Sequence, residues 1–264
     1  MARHVPGPLY FEQIGKTGLP MLFLHSTPDD HRLWLFQTAH FSAHFRTIAI
    51  DVAGYGRSPA IQEGVTPADQ ASACWEAVDR VSDGPLIIQA NSMGAGIATA
   101  MAHQHPERIK ALILSGCGYS ASNEVFLKWV ERYKTEGLPL RREQVLDHLA
   151  PSVRANPLMQ YYADMIVELN NAGTLASIVA MNQGLAHRHP ESYYRDMSVP
   201  TMIIAGKEDR SYPSALVLQK LIPNCELRAI DNVAHAPMLE APWEYDRHAI
   251  EFLTKLGLYP GEPT

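Results

Sequence analysis

The sequence lacks several features that define whole classes of protein. It has only three cysteines, Cys74, Cys117 and Cys225, among 264 residues. An odd number of widely spaced cysteines predicts neither a disulfide framework nor a Cys-x-x-Cys metal or redox site, so we interpret them as buried apolar thiols. No repeat with a period of about 20 to 50 residues is present, which excludes solenoids and propellers.

The chain also has no excess of positive charge. Lys and Arg number 22 against 28 Asp and Glu, and the net charge is −6. Because nucleic-acid binding depends on basic residues that neutralise phosphates, we expect no nucleic-acid partner. No apolar run approaches the ~18 residues of a membrane span, and the first residues contain no apolar signal segment. We therefore expect a cytoplasmic protein with no membrane partner.

The sequence does contain a recurring pattern of short apolar runs, each followed by a polar turn and a helical stretch. Continuous apolarity over about five residues is typical of strands that are covered on both faces of a parallel sheet. The helices between the runs, one of them with a capping signal at Thr66 and Pro67, imply crossover connections. The pattern therefore predicts an α/β fold with a doubly wound, mostly parallel sheet. The runs are residues 21–25, 47–51, 86–90, 109–115, 201–205 and 226–230.

This alternation stops between residues 118 and 196. The stretch has helical patterns and no run typical of a strand, and an unstructured loop of that length would be unusual. We predict a helical cap insertion at 118–196, between two parts of an α/β core at 1–117 and 197–264. Ligands bind at the carboxyl ends of the strands in such folds, which places the insertion where a lid would lie. The helical patterns cover residues 123–136, 141–149, 158–170 and 175–186.

The most informative segment is Ala90-Asn91-Ser92-Met93-Gly94, where a buried type of strand runs directly into a helix. A serine in this sharp turn exposes its Oγ, and the turn requires small residues two positions before and after it. Ala90 and Gly94 meet that requirement. The helix N-terminus presents free N–H groups that favour an oxyanion. We predict Ser92 as a nucleophile; an N-cap serine without a catalytic role is the alternative.

A second serine, Ser58, lies in the similar string Gly-Arg-Ser-Pro-Ala. It has no strand directly before it and no helix after it, so we do not select it. Most of the 12 histidines are typical of surface or helix-end positions, and pairs spaced by two do not share a helical face. We therefore predict no metal site.

A serine nucleophile needs a histidine base and an acid that orients the histidine. His235 lies in a polar turn after the last apolar run and before the last helix, at the same edge of the predicted sheet as Ser92. Asp209 follows the preceding strand and is our candidate for the acid, with Glu208 and Asp231 as competitors. The chain order Ser92, Asp209, His235 is the order of the α/β-hydrolase arrangement.

Together these segments resemble the α/β-hydrolase superfamily over nearly the whole chain. Residues 22–28 are similar to the His-Gly-x-Pro oxyanion loop of that family, residues 51–58 to its D-x-x-G-x-G-x-S stretch, and residues 235–242 to its histidine-helix segment. The resemblance implies that the backbone N–H groups of Met93 and Thr27 form an oxyanion hole, that His25 is structural, and that no cofactor is required. Ser26 departs from the pattern, because the family usually has glycine there.

The resemblance implies a serine hydrolase that forms an acyl-enzyme. We expect an ester or a lactone of a small, largely apolar molecule as substrate. The string from Asn91 to Gly94 resembles the elbow of hydrolases that cleave carbon–carbon bonds in aromatic ring-fission products. Those enzymes usually carry a glycine-rich oxyanion loop and a tryptophan after the histidine, where this chain has Ala236.

Other functions remain open from the sequence. They are cofactor-free perhydrolysis, lyase activity and a small-molecule receptor without turnover. The sequence predicts neither the oligomeric state nor the residues of the insertion that line the pocket. Asp29 and Asp30, directly after the oxyanion loop, are interpreted as solvated turn residues.

Overall fold

The computed structural model describes residues 5–117, 124–170, 174–186 and 189–260. In these residues seven strands form one sheet in the order β1-β3-β2-β4-β5-β6-β7. Only β1 is antiparallel to its neighbour; the other pairs are parallel. The strands are β1 (Phe11–Ile14), β2 (Pro20–Leu24), β3 (Arg46–Ile50), β4 (Leu86–Asn91), β5 (Ile109–Ser115), β6 (Thr201–Gly206) and β7 (Glu226–Ile230).

The predicted doubly wound α/β sheet is confirmed, and each of the six apolar runs forms a strand. Along β2, Leu22 and Leu24 face one apolar cluster, whereas Met21 and Phe23 face a second cluster on the opposite side. Because successive side chains of a strand point to opposite faces, a strand between two clusters needs apolar residues at every position. The sequence analysis missed β1, whose side chains are mostly exposed at the edge of the sheet.

Helices cover both faces of this sheet. The predicted capping of the helix Pro67–Asp79 (α2) is present: the Thr66 hydroxyl accepts from the backbone N–H of Asp69, and Pro67 is the first helical residue. Within the described ranges, no helix combines the length and apolarity needed to traverse a lipid bilayer. The helices outside the insertion are α1 (Leu35–Phe41), α2 (Pro67–Asp79), α3 (Met93–Gln104), α10 (Tyr212–Leu221), α11 (Pro237–Glu240) and α12 (Pro242–Lys255), with 3₁₀ turns at His31–Trp34 and Pro106–Arg108.

Between β5 and β6 the described residues form helices and no strand. The four helical patterns predicted there correspond to α4, α5, α7 and α8, although residue 123, the first of the first pattern, lies outside the described residues. We call the helices between β5 and β6 the inserted helices. That residues 118–196 form a separate cap stays a prediction. The inserted helices are α4 (Glu124–Glu136), α5 (Pro139–Asp147), α6 (Pro151–Arg154), α7 (Pro157–Val167), α8 (Thr174–Leu185) and α9 (Ser192–Arg195).

Candidate active site

Ser92 occupies the turn between β4 and α3 with φ 53° and ψ −111°. A positive φ is uncommon for a residue with a side chain and signals strain that the surrounding structure must hold. Gly94 is part of that support, because a Cβ there would come within 2.3 Å of the carbonyl oxygen of Leu24. The predicted need for a small residue two positions after Ser92 therefore has a direct cause: the first turn of α3 crosses the end of β2 in close contact.

The two predicted oxyanion donors belong to the lining of the cavity that contains Ser92. Met93 is the first residue of α3, so its N–H has no acceptor within the helix, and both Met93 and Thr27 line the same cavity as Ser92. The hydroxyl of Tyr55 donates to Thr27 Oγ1 over 2.7 Å and holds that residue. Ser26 is not among the described residues with positive φ, so serine replaces the family's glycine without backbone strain.

His25 has the structural role that the resemblance implies. It is fully buried, its Nδ1 contacts the carbonyl oxygen of Ser26 at 2.8 Å, and its Nε2 accepts from the backbone N–H of Val52 at 2.9 Å. Both ring nitrogens are therefore engaged in joining the oxyanion loop to the end of β3. Neither is available for proton transfer in the cavity.

His235 and Asp209 come together from the loops after β7 and β6. Nδ1 of His235 lies 2.9 Å from Oδ2 of Asp209. The two competing acids do not have this contact. Asp231 instead pairs with Lys207 at 2.7 Å, and its side chain is 72% exposed, while Glu208 is exposed. The geometry thus selects Asp209 as the partner of the histidine.

Electrostatics suit this pair for proton transfer. Burial would raise the pKa of the Asp209 carboxyl, but the charge of His235 and the hydrogen bonds from His235 and Ser211 hold that pKa well below its usual range. Burial lowers the pKa of His235, and the neighbouring Asp209 carboxylate more than offsets this, so the pKa is raised above the ordinary value. An ionised acid beside a basic imidazole is the arrangement that stabilises a developing imidazolium.

Ser92 and His235 line one cavity of about 450 Å³. Gly116, after β5, makes room for the ring, because a Cβ there would lie 3.0 Å from Cε1 of His235. Asn91 Nδ2 donates to the backbone carbonyl of His235 over 2.9 Å and ties the histidine loop to the serine turn. Within the described residues, the hydrogen bonds of His235 run to Asp209, Asn91 and His148, and none runs to Ser92. The contact between the serine and the histidine therefore stays a prediction.

The carboxylate of Glu240, a partly buried residue, also fixes the histidine loop. Glu240 accepts from the backbone N–H groups of Ala234 at 3.2 Å and Ala236 at 3.1 Å, the two neighbours of His235. The same carboxylate accepts from the N–H of Ala150, between α5 and α6, at 2.8 Å. One side chain thus links the inserted helices to the loop that presents His235.

The inserted helices also contact the oxyanion loop. The Nε of Arg141 donates to the carbonyl oxygen of Pro28 over 2.8 Å. The hydroxyl of Tyr162 donates to Asp29 Oδ1 over 2.9 Å, and the hydroxyl of Ser26 donates to the other oxygen of Asp29. The loop beside Ser92 is therefore held by α5 and α7.

The interpretation of Asp29 and Asp30 as solvated turn residues is wrong. Their exposed fractions are 4% and 0%. Asp30 instead accepts two hydrogen bonds from the guanidinium of Arg32, at 2.8 and 2.7 Å, and Asp29 is covered by Tyr162. Burial raises the pKa of Asp29 to about 6, although the hydrogen bonds from Ser26 and Tyr162 oppose this.

Sequence reasoning did not identify His148 as part of the site. It follows α5, at a helix end, and lines the cavity. Its carbonyl oxygen accepts from the backbone N–H of His235 at 2.9 Å, and the two ring centroids are 4.8 Å apart. No local sequence signal could have found it, because its position depends on how the insertion packs against the core.

The cavity has both apolar and polar lining residues. Trp129, one of the aromatic residues left unassigned from the sequence, lines the cavity, whereas Tyr133 and Met181 belong to the packed core. The apolar lining residues include Val125, Phe126, Trp129, Leu185 and Leu218, and the polar ones include Gln144, Asp147, His148, Arg154, Asn182, His189 and Arg210. The lining therefore offers contacts to both apolar and polar groups of a ligand.

One group in the described residues has the composition of a metal site. Atoms of Asp30, His31 and Asp51 lie within 4.8 Å of one another. Arg32 already pairs with Asp30 at 2.7 Å, and His31 Nδ1 lies 2.7 Å from Asp51 Oδ1. Cationic and hydrogen-bonding groups of the chain thus account for these carboxylates, and the absence of a metal site stays a prediction.

Comparison with known proteins decides the family. A sequence model of the alpha/beta hydrolase fold matches residues 20–242. The chain belongs to the α/β-hydrolase family. Among the curated relatives of this α/β-hydrolase, the AB hydrolase superfamily protein YisY of Bacillus subtilis is 27% identical over 254 residues, which cover 88% of this chain and 90% of that protein.

Two further likenesses of this α/β-hydrolase bear on its chemistry. The 2-hydroxy-6-oxononadienedioate/2-hydroxy-6-oxononatrienedioate hydrolase of Burkholderia vietnamiensis is 25% identical, over 82% of this chain and 79% of that protein. A thermophilic esterase from Thermogutta terrifontis superposes with a TM-score of 0.82 at 25% identity, over 94% of this chain and 93% of that chain. These relatives support a hydrolase and leave the substrate open.

Proposed function

We propose that this α/β-hydrolase is a serine hydrolase that cleaves a carboxylic ester or lactone of a small, largely apolar molecule through an acyl-enzyme. The observation that carries the proposal is the position of Ser92. It sits in a strained turn at the N-terminus of α3 and lines the same cavity as His235, whose Nδ1 is paired with Asp209. This combination is the one that activates a hydroxyl as a nucleophile.

The residues divide the reaction between them. Ser92 Oγ attacks the carbonyl carbon while Nε2 of His235 takes the hydroxyl proton, and Asp209 keeps the other ring proton on Nδ1. The carbonyl oxygen, now negative, accepts from the N–H groups of Met93 and Thr27; removing one such donor typically costs about 10²- to 10³-fold in turnover.

Collapse of this intermediate breaks the bond to the alcohol oxygen, which receives the proton from His235. Water then attacks the acyl-enzyme, with His235 again as the base, and the acid leaves as Ser92 recovers its proton. The step needs no group beyond those of the chain and water. The inserted helices lie over the cavity as a lid and bound the space for the substrate.

Steady-state hydrolysis of 4-nitrophenyl butyrate tests this function. We expect continuous turnover by the unchanged protein and loss of all turnover above background in Ser92→Ala. Ser58→Ala is the matched control. Ser58 lies in the rival string, and within the described ranges its hydroxyl bonds backbone groups alone, donating to the carbonyl of Asp51 and accepting from the N–H of Tyr10. Its rate per folded molecule should stay near that of the unchanged protein.

Three outcomes would overturn the proposal. Full turnover in Ser92→Ala would move the nucleophile elsewhere. Loss of turnover in Ser58→Ala with Ser92→Ala still active would select the rival string. A single burst of nitrophenol without continued turnover would favour a small-molecule receptor.

Carbon–carbon bond hydrolysis is the second candidate. The elbow string from Asn91 to Gly94 and the 25% identical Burkholderia vietnamiensis relative favour it. A 2-hydroxy-6-oxo ring-fission product is the diagnostic substrate, because cleavage ends the conjugation between its dienol and its ketone and so removes the long-wavelength absorbance. If the kcat/KM for that compound is higher than the kcat/KM for 4-nitrophenyl butyrate and for valerolactone, carbon–carbon bond hydrolysis is the function.

A further inference from the structure

His148 is fixed beside the proposed base by two contacts. Its backbone carbonyl accepts from the N–H of His235 over 2.9 Å, and its imidazole packs against that of His235 with ring centroids 4.8 Å apart and planes inclined by 54°. The backbone contact places the two residues side by side, and the imidazole of His148 lies directly against that of His235. It also belongs to the cavity wall that contains Ser92.

The imidazole of His148 has hydrogen-bonding capacity that the protein does not use. In the part of the chain that the structure describes, His148 forms hydrogen bonds only through its backbone, to Gln144, Leu146 and His235. Burial and then the positive charge of His235 lower its pKa well below the ordinary value. A neutral imidazole has one N–H donor and one acceptor nitrogen, and among the described residues neither has a partner, so both can serve a ligand.

The proposed reaction places a particular part of the substrate next to this ring. His235 must reach the alcohol oxygen to protonate it, whereas the carbonyl oxygen is drawn toward the N–H groups of Met93 and Thr27. A ring packed directly on His235 therefore lies near the alcohol part of a bound ester. The apolar residues that line the cavity, Trp129 among them, can contact the apolar part.

We propose that His148 is a specificity-determining residue that hydrogen-bonds a polar atom on the alcohol side of the substrate. The inference rests on the proposed function. It names a substrate class: esters or lactones whose alcohol portion carries a hydroxyl or carbonyl oxygen within a few bonds of the scissile oxygen. A neutral hydrogen bond of this kind is expected to favour such substrates by about tenfold over matched alkyl esters.

Two esters of equal size provide the test. 2-Hydroxyethyl butyrate and propyl butyrate have the same acyl group and the same number of heavy atoms, and differ in one terminal hydroxyl. We expect the unchanged protein to show a kcat/KM about tenfold higher for the hydroxyethyl ester, measured by pH-stat titration. His148→Phe and His148→Met should bring the ratio of the two values close to one, and His148→Gln should keep part of it.

The ratio separates recognition from packing. A variant that merely displaces His235 slows the hydrolysis of both esters alike and leaves the ratio of their kcat/KM values unchanged. Three variants are made so that the test still works if one of the two apolar variants does not fold. Equal kcat/KM for the two esters in the unchanged protein, or the same ratio in all four proteins, would overturn the inference.

Ser92→Ala separates this inference from the proposed function. If Ser92→Ala still hydrolyses both esters at full rate, the proposed function fails. If Ser92→Ala is inactive and the ratio does not depend on His148, the nucleophile is supported and only the role of His148 is wrong.

Discussion

The Nε atom of Arg141 lies 2.8 Å from the carbonyl oxygen of Pro28, the residue that follows Thr27 in the oxyanion loop. Arg141 is fully buried, and its Nη1 donates to Asn170 Oδ1 over 2.6 Å. A buried guanidinium that bonds one carbonyl of the loop restricts where the loop can lie. The position of the proposed donor N–H of Thr27 therefore depends on a residue of the inserted helices.

We expect Arg141→Met to lower kcat for 4-nitrophenyl butyrate by about tenfold with a small change in KM. The loss should be less than the ~10²- to 10³-fold of a missing oxyanion donor, because the Thr27 N–H is displaced and not removed. Arg141→Lys keeps one donor for Pro28, so its kcat should lie between that of the unchanged protein and that of Arg141→Met. A lower thermal stability with kcat unchanged would show that Arg141 serves the fold alone.

Replacement of the acid should distinguish Asp209 from its competitor. Asp209→Asn removes the charge that holds the imidazole in its tautomer, and we expect kcat to fall by about 10³- to 10⁴-fold. Asp231→Asn is the matched control, since Asp231 is 72% exposed and pairs with Lys207. If kcat falls in Asp231→Asn and not in Asp209→Asn, the assignment of the acid is wrong.

The pH dependence of kcat/KM should report the state of His235. The imidazole must be neutral to accept the proton of Ser92, so activity falls as the pH drops through its pKa, which Asp209 raises above the ordinary value. In Asp209→Asn the carboxylate that raises the pKa of His235 is gone. The residual kcat/KM should therefore begin to fall only at a lower pH than in the unchanged protein. A limb at the same pH in both proteins would assign it to another group.

Asp29 should make stability depend on pH in an unusual direction. Burial raises its pKa from 3.8 to about 6, so the folded state binds this proton more tightly than the unfolded state. The contribution of this proton to the free energy of unfolding is fully present below pH ~4 and is lost as the pH rises through 6. The loss is at most about 3 kcal/mol.

Urea unfolding of the unchanged protein and of Asp29→Asn between pH 4 and 7.5 measures this effect. As the pH rises over that window, the free energy of unfolding of Asp29→Asn should increase relative to that of the unchanged protein. Tyr162→Phe, made in the protein that keeps Asp29, removes a donor that stabilises the carboxylate. It should therefore make the free energy of unfolding depend more strongly on pH. A difference that does not vary with pH would show that Asp29 is not the group responsible.

Much of the fold and part of the site were predictable because their signals are local. Strands covered on both faces need continuous apolar runs, and the turn that exposes Ser92 needs a small residue at position 94, where a Cβ would approach Leu24 O within 2.3 Å. Both requirements are written in a few consecutive residues. The edge strand β1 was missed for the same reason, since exposed residues leave no apolar run.

The sequence by itself determined the six apolar strands β2 to β7, the alternation of these strands with helices and the turn that presents Ser92, because each depends on neighbours along the chain. Only the tertiary structure decided that Asp209 and not Asp231 pairs with His235, that Asp29 is buried under Tyr162, and that His148 packs on His235. Those contacts join segments far apart in sequence. The Asp209–His235 contact depends on the pairing of β6 with β7, and the contacts of Tyr162 and His148 depend on how the inserted helices pack against the core; no local pattern of residues encodes either.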